Sequence, residues 1–145
     1  TIIMRNFLFI CTIIFGFMAC EKPSGEGGTS VIEGKIIYFT SSYNTVTGIV
    51  DTHYYPKAGK DVYIIYSDDR GGVYDDKFDT DYNGKYHFEY LRKGEYTIYT
   101  YVDSFILNNI GNPIVTYDHP IYRDIKITNN NSTNTVNDFI IEKNQ

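Results

Sequence analysis

An all-β sandwich of about seven strands is the fold predicted by this 145-residue sequence, and three observations predict it. Apolar or aromatic residues alternate with polar ones at period two in several short segments, the spacing of half-buried strands. Those segments are separated by clusters of Gly, Asn, Asp and Ser, and beyond residue 19 no segment carries the period of an amphipathic helix. The 15 tyrosines and 9 phenylalanines, with no tryptophan, belong to the residue types that favour pleated surfaces.

Residues 1–19 stand apart from this pattern. Arg5 supplies a short cationic lead, and residues 7–19, FLFICTIIFGFMA, form an apolar run shorter than the roughly 20 residues that span a bilayer. The expectation is a signal peptide helix that is cleaved off. Phe17-Met18-Ala19-Cys20 is similar to a bacterial lipobox, with Phe17 where an aliphatic residue is usual. The resemblance implies diacylglycerol on the Cys20 thiol, further acylation of the palmitate kind, and an address in the bacterial cell envelope. The outer membrane is the first expectation, on its periplasmic or its surface side. An uncleaved anchor, or an ordinary signal with a chance cysteine, is the alternative.

Residues 20–30 contain Pro, Gly and Ser and no large apolar side chain, so they read as a flexible linker between the lipid and a head at residues 31–145. Stable attachment takes more than one acyl chain, because a single chain binds only marginally. With Cys11 in the leader and Cys20 acylated, no thiol is left in the head for a disulfide, a nucleophile or a zinc ligand. Loss of Arg5 with the leader takes the formal charge from −5 to −6, which argues against nucleic acid as a partner and leaves the lipid as the membrane attachment.

The head is organised around residues 79–101. Tyr86 and Phe88 share one face of their strand, Tyr96 and Ile98 share one face of the next, and His87, Glu89, Thr97 and Tyr99 face the other way. Asn83-Gly84 is a turn that needs a positive φ, and Tyr96 is placed as a corner tyrosine with its ring in the core and its hydroxyl on nearby backbone. Around this centre, residues 31–39 are a first strand and residues 40–59 a polar connection with a short strand at 46–50. Residues 61–67 follow as a strand, 68–72 as a turn and 73–80 as a weak acidic strand. Residues 102–119 are a looser region, and 121–128 pairs with 135–142 across the Asn-rich segment 129–134.

The string from Asp79 to Ile98, with Thr80-Asp81, Gly84, Tyr86, Phe88, Leu91, Gly94, Tyr96 and Ile98 in place, resembles the signature of the carboxypeptidase regulatory-like domains. These are relatives of the transthyretin-like and Cna-B-type sandwiches. Pro56, Ala58, Gly59, Val62 and Ile64 extend the similarity upstream, and it covers most of residues 31–141. It implies an Ig-like or transthyretin-like sandwich in which Gly84, Leu91, Gly94 and Tyr96 are structural. About function it is nearly silent, since such domains serve as stalks, adaptors and binding modules as well as appendages of enzymes.

Four chemistries can be weighed on the residues. Asp79-Thr-Asp81-Tyr-Asn83-Gly84 imitates the start of an EF-hand, but Tyr90 stands where the bidentate acid is needed and a strand follows. A looser calcium site from Asp75, Asp76, Asp79 and Asp81 is the alternative to a solvated acidic turn. His53, His87 and His119 lie far apart in sequence and lack metal-ligand spacing. No G-x-S-x-G elbow occurs, and Tyr122-Arg123 does not continue into the Tyr-Arg-Gly-Ser motif of the related urate-pathway hydrolases. The head is therefore expected to be no enzyme and to need no cofactor. The fourth chemistry is recognition: if Val62 and Ile64 face the core, Tyr63 and Ile65 face out, and Tyr99 and Tyr101 do the same one strand along. Should those strands be neighbours, the four side chains form a patch for a glycan or an envelope protein, unless loops cover it.

Overall fold

The structure, a computed structural model, describes residues 23–107 and 113–143. The leader and Cys20 lie outside them. Among the described residues there is no helix, and nine strands form two sheets: β1 (Glu26–Asn44), β2 (Ile49–Pro56), β3 (Asp61–Ile65), β4 (Asp76–Asp79), β5 (Lys85–Leu91), β6 (Gly94–Leu107), β7 (Pro113–Ile127), β8 (Thr133–Thr135) and β9 (Phe139–Glu142).

The first sheet is built on β1. Its first half pairs antiparallel with β5 and parallel with β8, and its second half pairs antiparallel with β2 and parallel with β9. The second sheet runs β4-β3-β6-β7, antiparallel throughout. The two layers meet over a core of Ile32, Ile36, Tyr86, Phe88, Leu91, Phe139 and Ile141 from the first sheet and Val62, Ile64, Tyr96, Ile98, Val102 and Ile127 from the second. The expected sandwich is there, with two strands more than expected.

The residues 79–101 behave as the alternation requires. Tyr86, Phe88, Tyr96 and Ile98 are all buried. The turn before β5 closes with the Gly84 amide donating to the Asp81 carbonyl at 2.9 Å. Gly84 has φ +73°, and a Cβ there would stand 2.5 Å from the Ile36 carbonyl oxygen, so no side chain fits. After Phe88 the alternation slips by one: Glu89 and Tyr90 are exposed and Leu91 is buried. Tyr90 causes the slip, with φ +59°, the left-handed backbone of a bulge that admits an extra residue and returns Leu91 to the core.

Tyr96 takes the corner position. Its hydroxyl accepts the Gly25 N–H at 2.9 Å and donates to the Arg92 carbonyl at 2.7 Å. This bond also corrects the expected linker. The head begins near Ser24 rather than Val31: Ser24 Oγ donates to the Tyr66 carbonyl, Arg92 Nε donates to the Pro23 carbonyl at 2.9 Å, and residues 26–30 already belong to β1. Gly, Ser and Thr carry no hydrophobic pattern, yet their small size is what admits this segment. A Cβ on Gly94 would lie 2.5 Å from Ser24 Cβ, and Ser30 is fully buried with its hydroxyl on the Asn129 carbonyl.

Three further expectations are corrected. The connection at residues 40–59 is mostly strand: β1 continues to Asn44 and returns as β2 through a turn in which Asn44 Oδ1 accepts the amides of Val46 and Thr47. Residues 102–107 and 113–119 are the continuation of β6 and β7, paired in register from Gly94↔Ile127 to Leu107↔Pro113. The last segments do not form a hairpin with β7. The chain crosses to the first sheet, where the Ser132 carbonyl accepts the Val31 amide, and β8 and β9 run parallel to β1. Val136, Phe139 and Ile141 enter the core along this route.

Candidate functional site: an aromatic platform

The outward face of the second sheet carries the site. β3 and β6 are neighbours, with Tyr63 opposite Tyr99 and Ile65 opposite Thr97, and β7 adds Tyr122 opposite Tyr99. Cross-strand neighbours of this kind stand roughly 5 Å apart, and the rings meet accordingly. Tyr63 and Tyr99 stack with centroids 5.0 Å apart and planes 18° from parallel. Tyr101 stands edge-on to both, 5.7 Å from each. Tyr122 leans on Tyr99 at 5.4 Å, and Tyr74 leans on Tyr63 at 4.9 Å.

Three of the four expected patch residues, Tyr63, Tyr99 and Tyr101, are thus brought together. Ile65 is not part of the surface and is 4% exposed. The segment between β3 and β4 folds over it, with Gly72 against its methyl group and the Ser67 carbonyl accepting from Thr97 Oγ1 at 2.9 Å. Tyr99 is covered in turn by its ring neighbours and is 6% exposed, whereas Tyr101 is 37% exposed. Burial pushes the Tyr99 phenol up to about 12, with Tyr101 and Tyr122 adding to the shift. It stays protonated and neutral at physiological pH and acts as the floor of the platform.

Charged groups hold both ends. At one, Arg70 forms an ion pair with Asp124 and lies 5.3 Å over the Tyr122 ring. At the other, the Tyr63 hydroxyl donates to Asp61 Oδ2 at 3.0 Å, and Lys77 sits between Asp61 and Asp79 at 3.2 Å from each. The hydrogen-bonded arrangement with Asp79 and Lys77 lowers the Asp61 pKa below the ordinary carboxylate value. Beside this end a cleft of about 290 Å³ opens, lined by Gly59, Lys60, Asp61, Tyr63, Tyr101 and Asp118. That is near the lower bound for small-molecule sites, about 300 Å³. A larger hollow of about 540 Å³ beside Glu33, Lys35, His87 and Glu89 is lined mainly by charges of both signs and has no stacked ring pair.

The acidic loop is engaged elsewhere. Asp75 Oδ2 accepts the Tyr66 amide at 2.7 Å, Asp76 Oδ1 accepts the Lys77 amide, and Asp79 pairs with Lys77. Asp81 Oδ1 accepts the amides of Asn83 and Lys85, both at 2.8 Å. Their directions differ, and among the described residues no three His, Cys, Asp or Glu side chains are placed to hold a metal ion. His87 lies beside Glu89 and packs on Phe78, while His119 hydrogen-bonds Ser104, so the imidazoles have separate partners.

Sequence reasoning missed Tyr74, Tyr122 and Arg70. Tyr122 had a signal: Pro120, Tyr122 and Asp124 alternate as a strand face, and pairing with β6 puts them beside Tyr101, Tyr99 and Thr97. Tyr74 and Arg70 sit between β3 and β4, where no periodicity reports direction.

No protein-family model matches the sequence, and no curated protein matches it. Among solved structures, the chain is similar to a candidate carbohydrate binding protein from Pseudomonas aeruginosa, at 14% identity and a TM-score of 0.45, over 83% of this chain and 92% of that one. A likeness at that level transfers neither a site nor a ligand. None of the comparisons assigns the chain to the carboxypeptidase regulatory-like family, whose resemblance rests on the residues of the 79–98 string and their upstream extension.

Proposed function

We propose that the chain is a bacterial envelope lipoprotein, acylated on Cys20, whose β-sandwich head is a non-catalytic module that binds glycans on the Tyr63–Tyr99–Tyr101 platform. A place as an accessory to an outer-membrane uptake system follows from that reading. The observation that carries it is the exposed Tyr101 ring, braced edge-on against the stacked Tyr63–Tyr99 pair, beside a concave cleft edged by carboxylates. Sugars present apolar C–H faces and hydroxyl edges. Tyrosine rings take the first, and Asp61, Asp118 and Lys60 supply acceptors and a donor for the second. A flat surface would have favoured a protein partner, and the cleft favours a ring-sized ligand.

Anchoring is supported by the leader and by the chain's path. Only Glu21 and Lys22 separate Cys20 from Pro23, whose carbonyl is already held by Arg92, so an acylated Cys20 would hold the head close to the lipid surface. The last residues of β1 and β6, Asn44 and Leu107, lie at the far ends of strands that start near Ser24, at most about 40 to 60 Å away at strand rise. They would face away from that surface. An envelope protein as partner is a second reading, favoured by the exposed Tyr43, Val46, Ile49 and Val50 on the β1–β2 hairpin.

The tests separate the two parts of the proposal. Metabolic labelling with an acyl probe should mark the wild type and not Cys20→Ala; label retained in the variant removes the anchor. Glycan-array binding should be lost in Tyr101→Ala and kept in Val46→Ser. Binding untouched by Tyr101→Ala removes the platform.

A further inference from the structure

β2 is an edge strand of the first sheet. Among the described residues it pairs with β1 alone, and Ile49, Val50, Asp51, Thr52, His53 and Tyr54 are all exposed. Two bonds of β1 fix the direction of its backbone groups: the Ile36 carbonyl accepts the Lys57 amide on the β2 side, and the Phe39 carbonyl accepts the Lys143 amide on the opposite side. In an antiparallel ladder alternate residues bond to alternate sides. With the register running from Ile37↔Pro56 to Asn44↔Ile49, Ile49, Asp51, His53 and Tyr55 direct their backbone groups at β1. The N–H and C=O groups of Val50, Thr52 and Tyr54 are left at the free edge. Such a row is a template for another strand unless something blunts it, and no Pro or Lys interrupts it before Pro56.

We propose that this edge pairs with itself: β2 lies antiparallel to β2 of a second copy about a two-fold axis through Thr52, and the first sheet runs on across a homodimer. A two-fold axis normal to the sheet makes one residue face its own copy, and the residues of β2 select which. With Thr52 on the axis, Val50 stands opposite Tyr54 of the second copy, Asp51 opposite its His53 and Ile49 opposite its Tyr55, and each pair occurs twice. These are β-branched–aromatic pairs and an acid–imidazole pair, the kinds that stabilise neighbouring strands. Val50, Thr52 and Tyr54 all keep an amide to exchange. Centring on Asp51 sets two carboxylates face to face, and centring on Val50 runs the tip turn into the ladder. Centring on His53 or Tyr54 brings in Pro56, which has no N–H to donate. Phe39 already braces Tyr54 at 5.6 Å, and Tyr43 lies opposite Val50, so the join extends an apolar stripe. The same register carries the second copy's hairpin tip, where Val46 is 93% exposed, past Pro56. It reaches the level of a hollow of about 470 Å³ lined by Lys35, Ile37, Pro56 and Asn83. Because the paired strands are antiparallel, the two Ser24 ends lie at opposite ends of the dimer, and heads anchored upright through Cys20 would pair from facing surfaces.

The experiment is disulfide mapping and sedimentation equilibrium on the full chain in detergent, with Cys11→Ser and Cys20→Ser so that an introduced cysteine is the only thiol. Mild oxidation should link Thr52→Cys to its own copy, because a hydrogen-bonded antiparallel pair has Cα atoms about 5.5 Å apart, within the span of a disulfide. Val46→Cys and Lys126→Cys should not link. Thr52→Pro removes an edge amide and leaves the ladder to β1 untouched, so association should weaken by roughly 10-fold or more while the far-UV spectrum stays the same. Asp51→His sets imidazoles opposite one another and should weaken association by roughly 10-fold, and Asp51→His with His53→Asp should restore it to within about 3-fold. Where Thr52→Pro alters the spectrum, that exchange decides alone. A monomer at every concentration, a dimer that persists in Thr52→Pro, an exchange that fails to restore association, or oxidation that links Val46→Cys as readily as Thr52→Cys overturns the inference.

Discussion

Two core tyrosines make opposite predictions for the same chemical change. Tyr86 is 1% exposed and Tyr96 is 0% exposed, and both pack against aromatic neighbours, Phe88 and Phe139 for the first and Tyr66 for the second. The Tyr96 hydroxyl holds the Gly25 amide and the Arg92 carbonyl. The Tyr86 hydroxyl is buried with no hydrogen-bond partner among the described residues, and burial drives its pKa upward. Tyr96→Phe removes two hydrogen bonds and strands a backbone donor and an acceptor, a loss of about 2–3 kcal/mol. For a head of this size that lowers the midpoint by about 8–12 °C. Tyr86→Phe removes an oxygen whose desolvation nothing offsets while keeping the ring contacts, so stability should rise by about 1 kcal/mol and the midpoint by about 3–5 °C. Urea unfolding and thermal melts of both variants measure the difference, with unchanged m-values as the check that only stability moved. Equal losses in the two variants would refute the hydrogen-bond accounting.

Other expectations follow from single positions. Tyr90→Gly relaxes a left-handed backbone at an exposed residue and should stabilise by up to about 1 kcal/mol in urea titration. Gly84→Ala forces a methyl group against the Ile36 carbonyl and should cost about 2 kcal/mol or more by the same assay. Phe139→Ala empties a core position on β9, where the ring is fully buried, and should cost about 3–5 kcal/mol. The Asp61 pKa is lowered by the arrangement with Asp79 and Lys77. Its small stabilising contribution is therefore full above the unfolded value of 3.8 and is lost as pH falls through the lower folded value. The acid limb of a stability–pH profile should accordingly flatten in Asp61→Asn.

The parts of the fold that the sequence made legible are those decided by local rules. Tyr86, Phe88, Tyr96 and Ile98 alternate, so their burial followed from period two; Gly84 follows Asn83, so its positive φ followed from turn chemistry. Residues 26–30 were misread because small residues pack by letting chains approach, and close approach leaves no periodic trace. The parallel seats of β8 and β9 on β1 were not legible either. The polar segment 129–134 has the composition of a hairpin loop, and only distant partners such as Ser30 and Val31 carry it across the sandwich. The platform stood between these cases. Outward-facing Tyr63, Tyr99 and Tyr101 came from alternation, their adjacency came from strand order, and the burial of Ile65 came from a loop whose fold no pattern announces.

The most direct test of the glycan platform is a titration of protein carrying isotope-labelled tyrosine rings, with a binding glycan from the array as titrant. The ring resonances of Tyr63, Tyr99 and Tyr101 should shift together along one saturation curve, while those of Tyr43 and Tyr54 on the β1–β2 hairpin stay in place. Saturable binding that moves the hairpin rings and leaves the platform rings unchanged would contradict the account.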